Sequence, residues 1–257
     1  MKRYIKLLYW PVLFGIGQFL IIGLGLTLFH LGNPIDFENT VSIQTALEAI
    51  LFPSTFVSLI LFGIYFYKKY QKEEIHSFHI KKSDILYYLL FGIVTSFVLN
   101  IFFLYIKKLA YGNTISYYQE TIYNWFYLGR VISTGLIGPI LEELLFRGIL
   151  YQESKKIMKP MRAILFTTVI FVCFHTTMTS VLTALVTSFL VIHAFEREKS
   201  LTGPIIFHIF LNTTSILLIP MITRYPIWIL GILLLIFLIL FVILYMSKIS
   251  VNTKGKK

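Results

Sequence analysis

The chain has 257 residues, 57% of them hydrophobic and only 14% charged, with a mean hydropathy of +0.78. Soluble globular domains are about half apolar and about a quarter charged, so these values exclude that class and point to a polytopic membrane protein. The net charge of +11 lies in short segments between apolar runs and forms no RNA- or DNA-binding motif, which excludes a nucleic-acid partner and leaves topology and anionic membrane lipid as its meaning.

In chain order, a basic start (Lys2, Arg3, Lys6) precedes an apolar run too long for a cleavable signal and closed by no small-x-small site, so it reads as an uncleaved first span over about Leu7 to Phe29. Leu31-Gly32-Asn33-Pro34 turns the chain. Span two covers about Ala46 to Tyr67 and span three about Ile85 to Ile106, with a lysine-rich stretch between them. A connector from Tyr111 to Tyr127, rich in tyrosine and holding Trp125, is expected at headgroup depth, where amphipathic rings settle. Span four is Val131 to Tyr151. The run from Ala163 to Phe195 is broken by His175-Thr176-Thr177-Met178-Thr179-Ser180 and reads as a tight hairpin of spans five and six. Span seven runs from about Gly203 to Ile219 and span eight from about Ile227 to Met246. The expectation is one all-α membrane domain over 1–257, a polytopic helix bundle of about eight transmembrane helices. Its four-helix catalytic core covers about 128–220, with peripheral helices at about 7–106 and 227–246.

With both termini on one side, Lys107, Lys108, Arg130 and Arg224 lie opposite, Arg147 lies inside span four, and the other 18 of the 23 basic residues share the side of the termini. The positive-inside rule then makes both termini cytoplasmic, in a multi-pass protein of the cell membrane. The short, Lys- and Ile-rich chain reads as bacterial.

Span four carries Leu141-Glu142-Glu143-Leu144-Leu145-Phe146-Arg147. A charge at the bilayer centre costs about 2.5–3.5 kcal/mol on insertion scales, so three of them mark a functional site before anything else. At ~100° per residue, Glu143 and Arg147 lie ~40° apart with the acid first, the favoured order for an ion pair, while Glu142 points ~100° away from Glu143. The stretch thus divides into a paired acid and a freer one. A desolvated carboxylate without a partner is the better proton acceptor, which suits a general base. His175 ends Phe171-Val172-Cys173-Phe174-His175 at depth in span five, roughly 18 Å from the cytoplasmic face. His208 and Asn212 share one face of span seven. Histidine and asparagine can orient water, relay a proton or donate to an oxyanion. These depths allow Glu142, His175, His208 and Asn212 to meet in a cavity opening toward the cytoplasm.

Glu-Glu-x-x-x-Arg, Phe-x-x-x-His and His-x-x-x-Asn, in this order on three spans, resemble the CAAX protease and bacteriocin-processing (CPBP, or Abi) family of intramembrane endopeptidases. The motifs cover Glu142 to Asn212, and the first 130 residues show only generic membrane character. The resemblance implies that Glu142 and His175 activate water for attack on a peptide carbonyl, that His208 and Asn212 stabilise the oxyanion, and that Glu143 and Arg147 support the site. The family is often described as metal-dependent. With no His-Glu-x-x-His and one cysteine, no cofactor is expected firmly, and zinc held by Glu142, His175 and His208 stays chemically open. Expected partners are membrane lipids and a peptide or membrane-protein substrate, such as a leader or pheromone peptide. The alternative is a non-catalytic bacteriocin-immunity or peptide-export accessory protein. A proton-coupled transporter ranks last, since no inverted repeat or paired broken helices accompany the acids.

Other polar residues are discounted. Cys173 reads as core, His76 and His79 as solvated loop residues, and His30 and His193 as span-end groups. Glu48, Asn100 and Gln18 read as interhelical hydrogen-bonding groups. Asn212-Thr213-Thr214 matches a glycosylation pattern only by chance, because it lies within a span.

Overall fold

A computed structural model describes residues 2–71, 80–112 and 127–254. They form an all-α bundle of eight helices with no strand among the described residues. Helix α1 is Lys2–Gly32, α2 spans 40–70, α3 is Lys82–Tyr111, α4 spans 127–155, α5 is Pro160–Val172, α6 is Met178–Glu198, α7 is Thr202–Ile222 and α8 is Ile227–Lys254. Five helices are long and apolar enough to cross a membrane, namely α1, α2, α3, α6 and α8, while Pro160–Val172 and Thr202–Leu218 are shorter apolar helices. Large apolar side chains such as Phe19, Leu31, Trp228 and Leu235 stand exposed. This is the surface that lipid covers in a multi-pass membrane protein. The aromatic connector and the histidines at 76 and 79 lie outside the described residues.

Polar contacts tie the two ends of the bundle. At the end bearing both termini, Lys69 meets Glu153, Lys155 meets Glu196, Lys248 meets Asp84, and the Tyr88 hydroxyl donates to Glu198. At the other end, Arg130 pairs with Glu48 and Lys108 Nζ donates to the Tyr225 carbonyl at 2.6 Å. Glu48 and Asn100 thus take the interhelical roles expected of them, since Asn100 also accepts from Ser215 on α7 at 3.0 Å.

The core lies around α4, whose residues Leu144 to Tyr151 are all buried against Phe14, Phe66, Phe171 and Phe195 from four other helices. Helix α7 packs against α3 more extensively than any other pair of elements does. Gly92 permits this, because a Cβ there would stand 2.4 Å from the Phe207 carbonyl oxygen and 3.1 Å from the Leu211 nitrogen. On its other side α7 meets α4 at Gly135, where a Cβ would stand 2.8 Å from Thr213 Oγ1. These two close approaches fix the depth and rotation of the segment from His208 to Asn212.

Helix α4 is not uniform. Val131–Ile137 and Leu144–Tyr151 are wound in wider, π-type turns, a form that recurs at functional sites. The first has a local cause in Pro139, which has no N–H for the Gly135 carbonyl and whose ring crowds that oxygen. Gly138 N–H bonds instead to Ser133, five residues back, so the Thr134 carbonyl does not have its usual donor and the Gly135 carbonyl faces a proline with no N–H. Helix α5 has 13 residues and rises about 20 Å, less than the ~30 Å of a hydrocarbon core. The segment 173–177 therefore leaves the α-helix at membrane depth, with Cys173 N–H the last to bond four residues back and Phe174 and His175 N–H bonding three back, and a capping box between Thr177 and Ser180 starts α6.

Candidate active site

One cavity of about 440 Å³ is lined by Glu142, His175, His208 and Asn212 together. Glu143 and Arg147 lie beneath it, 0% and 1% exposed. Arg147 Nη1 donates to Glu143 Oε1 at 3.1 Å, the pair expected from their four-residue spacing. The guanidinium also lies 4.5 Å from the centre of the Phe171 ring, which meets its flat face, while Arg147 Nη2 and Glu143 Oε2 are buried with no hydrogen-bond partner among the described residues.

His208 holds a position its spacing did not reveal. Its Nδ1 stands 2.7 Å from Glu143 Oε1, and its Nε2 stands 3.7 Å from Glu142 Oε2. The imidazole thus bridges the paired acid to the freer one. Glu142 is half-buried on the cavity side and touches neither Arg147 nor Glu143 among the contacts of the described residues.

His175 lies past the end of α5, and its Nδ1 is 3.1 Å from the Phe171 carbonyl oxygen. A carbonyl only accepts, so Nδ1 is the donor in this contact and Nε2 is left for the cavity. The Phe171 ring, centred 5.0 Å from His175 and 6.2 Å from His208, packs between the two imidazoles and Arg147. Asn212 Nδ2 donates to the Thr134 carbonyl at 3.0 Å, and Thr213 Oγ1 donates to the Gly135 carbonyl at 3.2 Å. These are the two carbonyls that the wide turn before Pro139 releases. One amide N–H of Asn212 stays available to another acceptor.

The zinc set left open by the sequence is not assembled: among the described residues no three His, Cys, Asp or Glu side chains gather closely enough to hold a metal ion. Two expectations need correction. Cys173 is exposed rather than core, because α5 ends at Val172 and leaves it as the cap on the outside of the turn. The cavity does not open toward the termini. Its walls run from Glu142 and His208 to Lys107, Thr179 and Thr223, which lie toward the end of the bundle opposite both termini. His193 lies away from it, beside the Tyr245 ring.

Sequence reasoning also missed part of the wall. Ser96, Asn100 and Lys107 on α3 line the cavity, as do Thr183 and Thr187 on α6. Helix α3 was expected among the peripheral helices. Thr183 and Thr187 recur with helical spacing, which was a usable signal, although such residues are common in spans as interhelical hydrogen-bonding groups.

Residues 124–214 match the family model described as type II CAAX prenyl endopeptidase Rce1-like. Over this segment the chain is similar to CAAX-type intramembrane proteases. It contains every residue of the three motifs, from Glu142 to Asn212, and leaves α1 to α3 and α8 outside. No curated protein and no solved structure matches the chain. Within the Rce1-like segment, α4, α5 and α7 carry the acids, the two histidines and the asparagine, and α6 supplies hydroxyls.

Proposed function

We propose that the protein is an intramembrane endopeptidase that hydrolyses peptide bonds of membrane-associated peptides, with Glu142 as general base. The carrying observation is the common cavity of Glu142, His175, His208 and Asn212 above a buried ion pair. A water between Glu142 and His175 Nε2 meets two acceptors, which orients its lone pair for attack on a carbonyl carbon. Glu142 takes the proton as the carbon–oxygen bond forms. The negative charge that develops on the carbonyl oxygen is met by the free N–H of Asn212 and by His208.

His208 donates to that oxyanion only while a proton sits on Nε2. Its Nδ1 faces Glu143, so the donating form is an imidazolium held by Glu143 on one side and Glu142 on the other. Collapse of the tetrahedral intermediate breaks the C–N bond, and the proton held by Glu142 passes to the leaving amine. Arg147 holds Glu143 in place, and the Phe171 carbonyl orients the His175 ring. Both termini are cytoplasmic in this reading, which the distribution of basic residues supports.

The test is cleavage of a membrane-associated peptide library by detergent-purified protein. Glu142→Gln abolishes cleavage while helical content and thermal unfolding stay unchanged. Undiminished cleavage by that variant removes Glu142 as the base, and with it this mechanism.

A further inference from the structure

The way into the cavity can be read from the order of its lining residues along each helix. On α3 they run from Ser96 to Lys107, the second half of the helix. On α7 they run from His208 to Ile222, its last residue, and on α6 they run from Thr187 back to Thr179, beside its first. All three courses lead to the same end of the bundle. From Ser96 to Lys107 the wall rises about 17 Å. Below Glu142 the way is closed, because every residue from Leu144 to Tyr151 is buried and Arg147 and Phe146 plug the interior.

Two features argue for water in this funnel. The irregular backbone of 173–177 lies at membrane depth, where such a segment is tolerated only if it is buried in protein or lines an aqueous cavity. His175 and Thr177 line the cavity, and Thr177 is exposed. In addition, Thr187 Oγ1 is buried on the cavity wall with no hydrogen-bond partner. A hydroxyl left so is served by water or by a ligand. An extended peptide brings unpaired N–H and C=O groups that a dry channel rejects and this hydroxyl-lined wall accepts.

The mouth shares its end of the bundle with Lys107, Lys108, Arg130 and Arg224, whereas 15 basic residues among those described lie toward the other end. We infer that the cavity is entered from the non-cytoplasmic face of the membrane, so that its substrates are peptide segments exposed at or anchored in that face. The substrate class rests on the protease reading above, but the side of access does not.

Cysteine accessibility tests it. In a Cys173→Ser background, single cysteines replace Thr183 and Ser215 on the cavity wall. Phe37 marks the end beside the mouth, and Lys156 marks the opposite end. Intact cells expressing the full chain, and inside-out vesicles made from them, are treated with a charged, membrane-impermeant methanethiosulfonate reagent, and the mass shift is read. Thr183→Cys, Ser215→Cys and Phe37→Cys react in intact cells, at least tenfold faster than Lys156→Cys, which reacts only in inside-out vesicles. Reaction of the two cavity cysteines only from inside-out vesicles, or from neither side, overturns the inference. So does reaction of Lys156→Cys in intact cells. Labelling needs no catalysis, so a failed Glu142→Gln experiment and a failed accessibility experiment are told apart.

Discussion

His208 Nδ1 stands 2.7 Å from Glu143 Oε1, the same oxygen that Arg147 Nη1 reaches at 3.1 Å. One buried carboxylate oxygen therefore meets two basic side chains, one beneath the cavity and one in its wall. Replacing Glu143 by Gln leaves Arg147 buried without a counter-charge, a change that costs about 3–5 kcal/mol. The expected result is a clear fall in the thermal midpoint of the detergent-solubilised protein. Adding Arg147→Met removes the stranded charge and recovers most of the midpoint, yet cleavage stays lost because His208 no longer has its carboxylate. If the double variant cleaves normally, Glu143 serves only Arg147.

In the proposed mechanism His208 meets the oxyanion beside the free N–H of Asn212. His208→Ala removes that donor, so kcat drops by about 10²–10³-fold, as for loss of one oxyanion donor, while KM changes little. Steady-state assays of both proteins on one peptide substrate measure this directly. A kcat equal to that of the parent takes His208 out of the oxyanion site.

Much of the site was legible because charges inside an apolar span stand out. Glu142, Glu143 and Arg147 stand out for that reason, and four-residue spacing alone paired Glu143 with Arg147. Sequence gave the depth of His208 along its helix but not its rotation toward α4, so its bridge between the two acids was invisible. That rotation is set by contacts at Gly92 and Gly135, which belong to other helices. The direction of the cavity was misjudged for a related reason. Depth along span four put Glu142 nearer the cytoplasm, but burial of everything below it, from Leu144 to Tyr151, closes that route. The hydroxyl-bearing wall of α3 and α6 went unread because serine and threonine carry no comparable penalty in a span.

Pro139 acts on the site through backbone winding. Pro139→Ala restores an N–H that can bond the Gly135 carbonyl and lets Gly138 N–H return to Thr134, which narrows the turn. Asn212 Nδ2 and Thr213 Oγ1 then lose the acceptors that hold α7 against α4. The expected outcome is a protein at least as stable as the parent, with kcat lowered by about 10²-fold, the scale of a 1 Å misplacement of a catalytic group. Unfolding and cleavage measured on the same preparation separate the two effects. Loss of stability without loss of kcat reverses the assignment, making Pro139 a packing residue.

Gly92 provides the complementary test on the other face of α7. An added methyl there meets the Phe207 carbonyl oxygen at 2.4 Å, and backbone cannot swing aside as a side-chain end can. Overpacking of this kind costs about 1–3 kcal/mol. The strain falls on the residue next to His208, so Gly92→Ala lowers both the unfolding midpoint and kcat. Gly23→Ala is the control, because a Cβ at Gly23 meets nothing within 4 Å, and replacing glycine by alanine in an open helix position favours the helix by about 1 kcal/mol. The two variants make the same chemical change in helices of one membrane domain and are expected to move the midpoint in opposite directions. Equal midpoints, measured side by side in one detergent, mean that α3 and α7 separate without cost at Gly92 and that the rotation of His208 is set elsewhere.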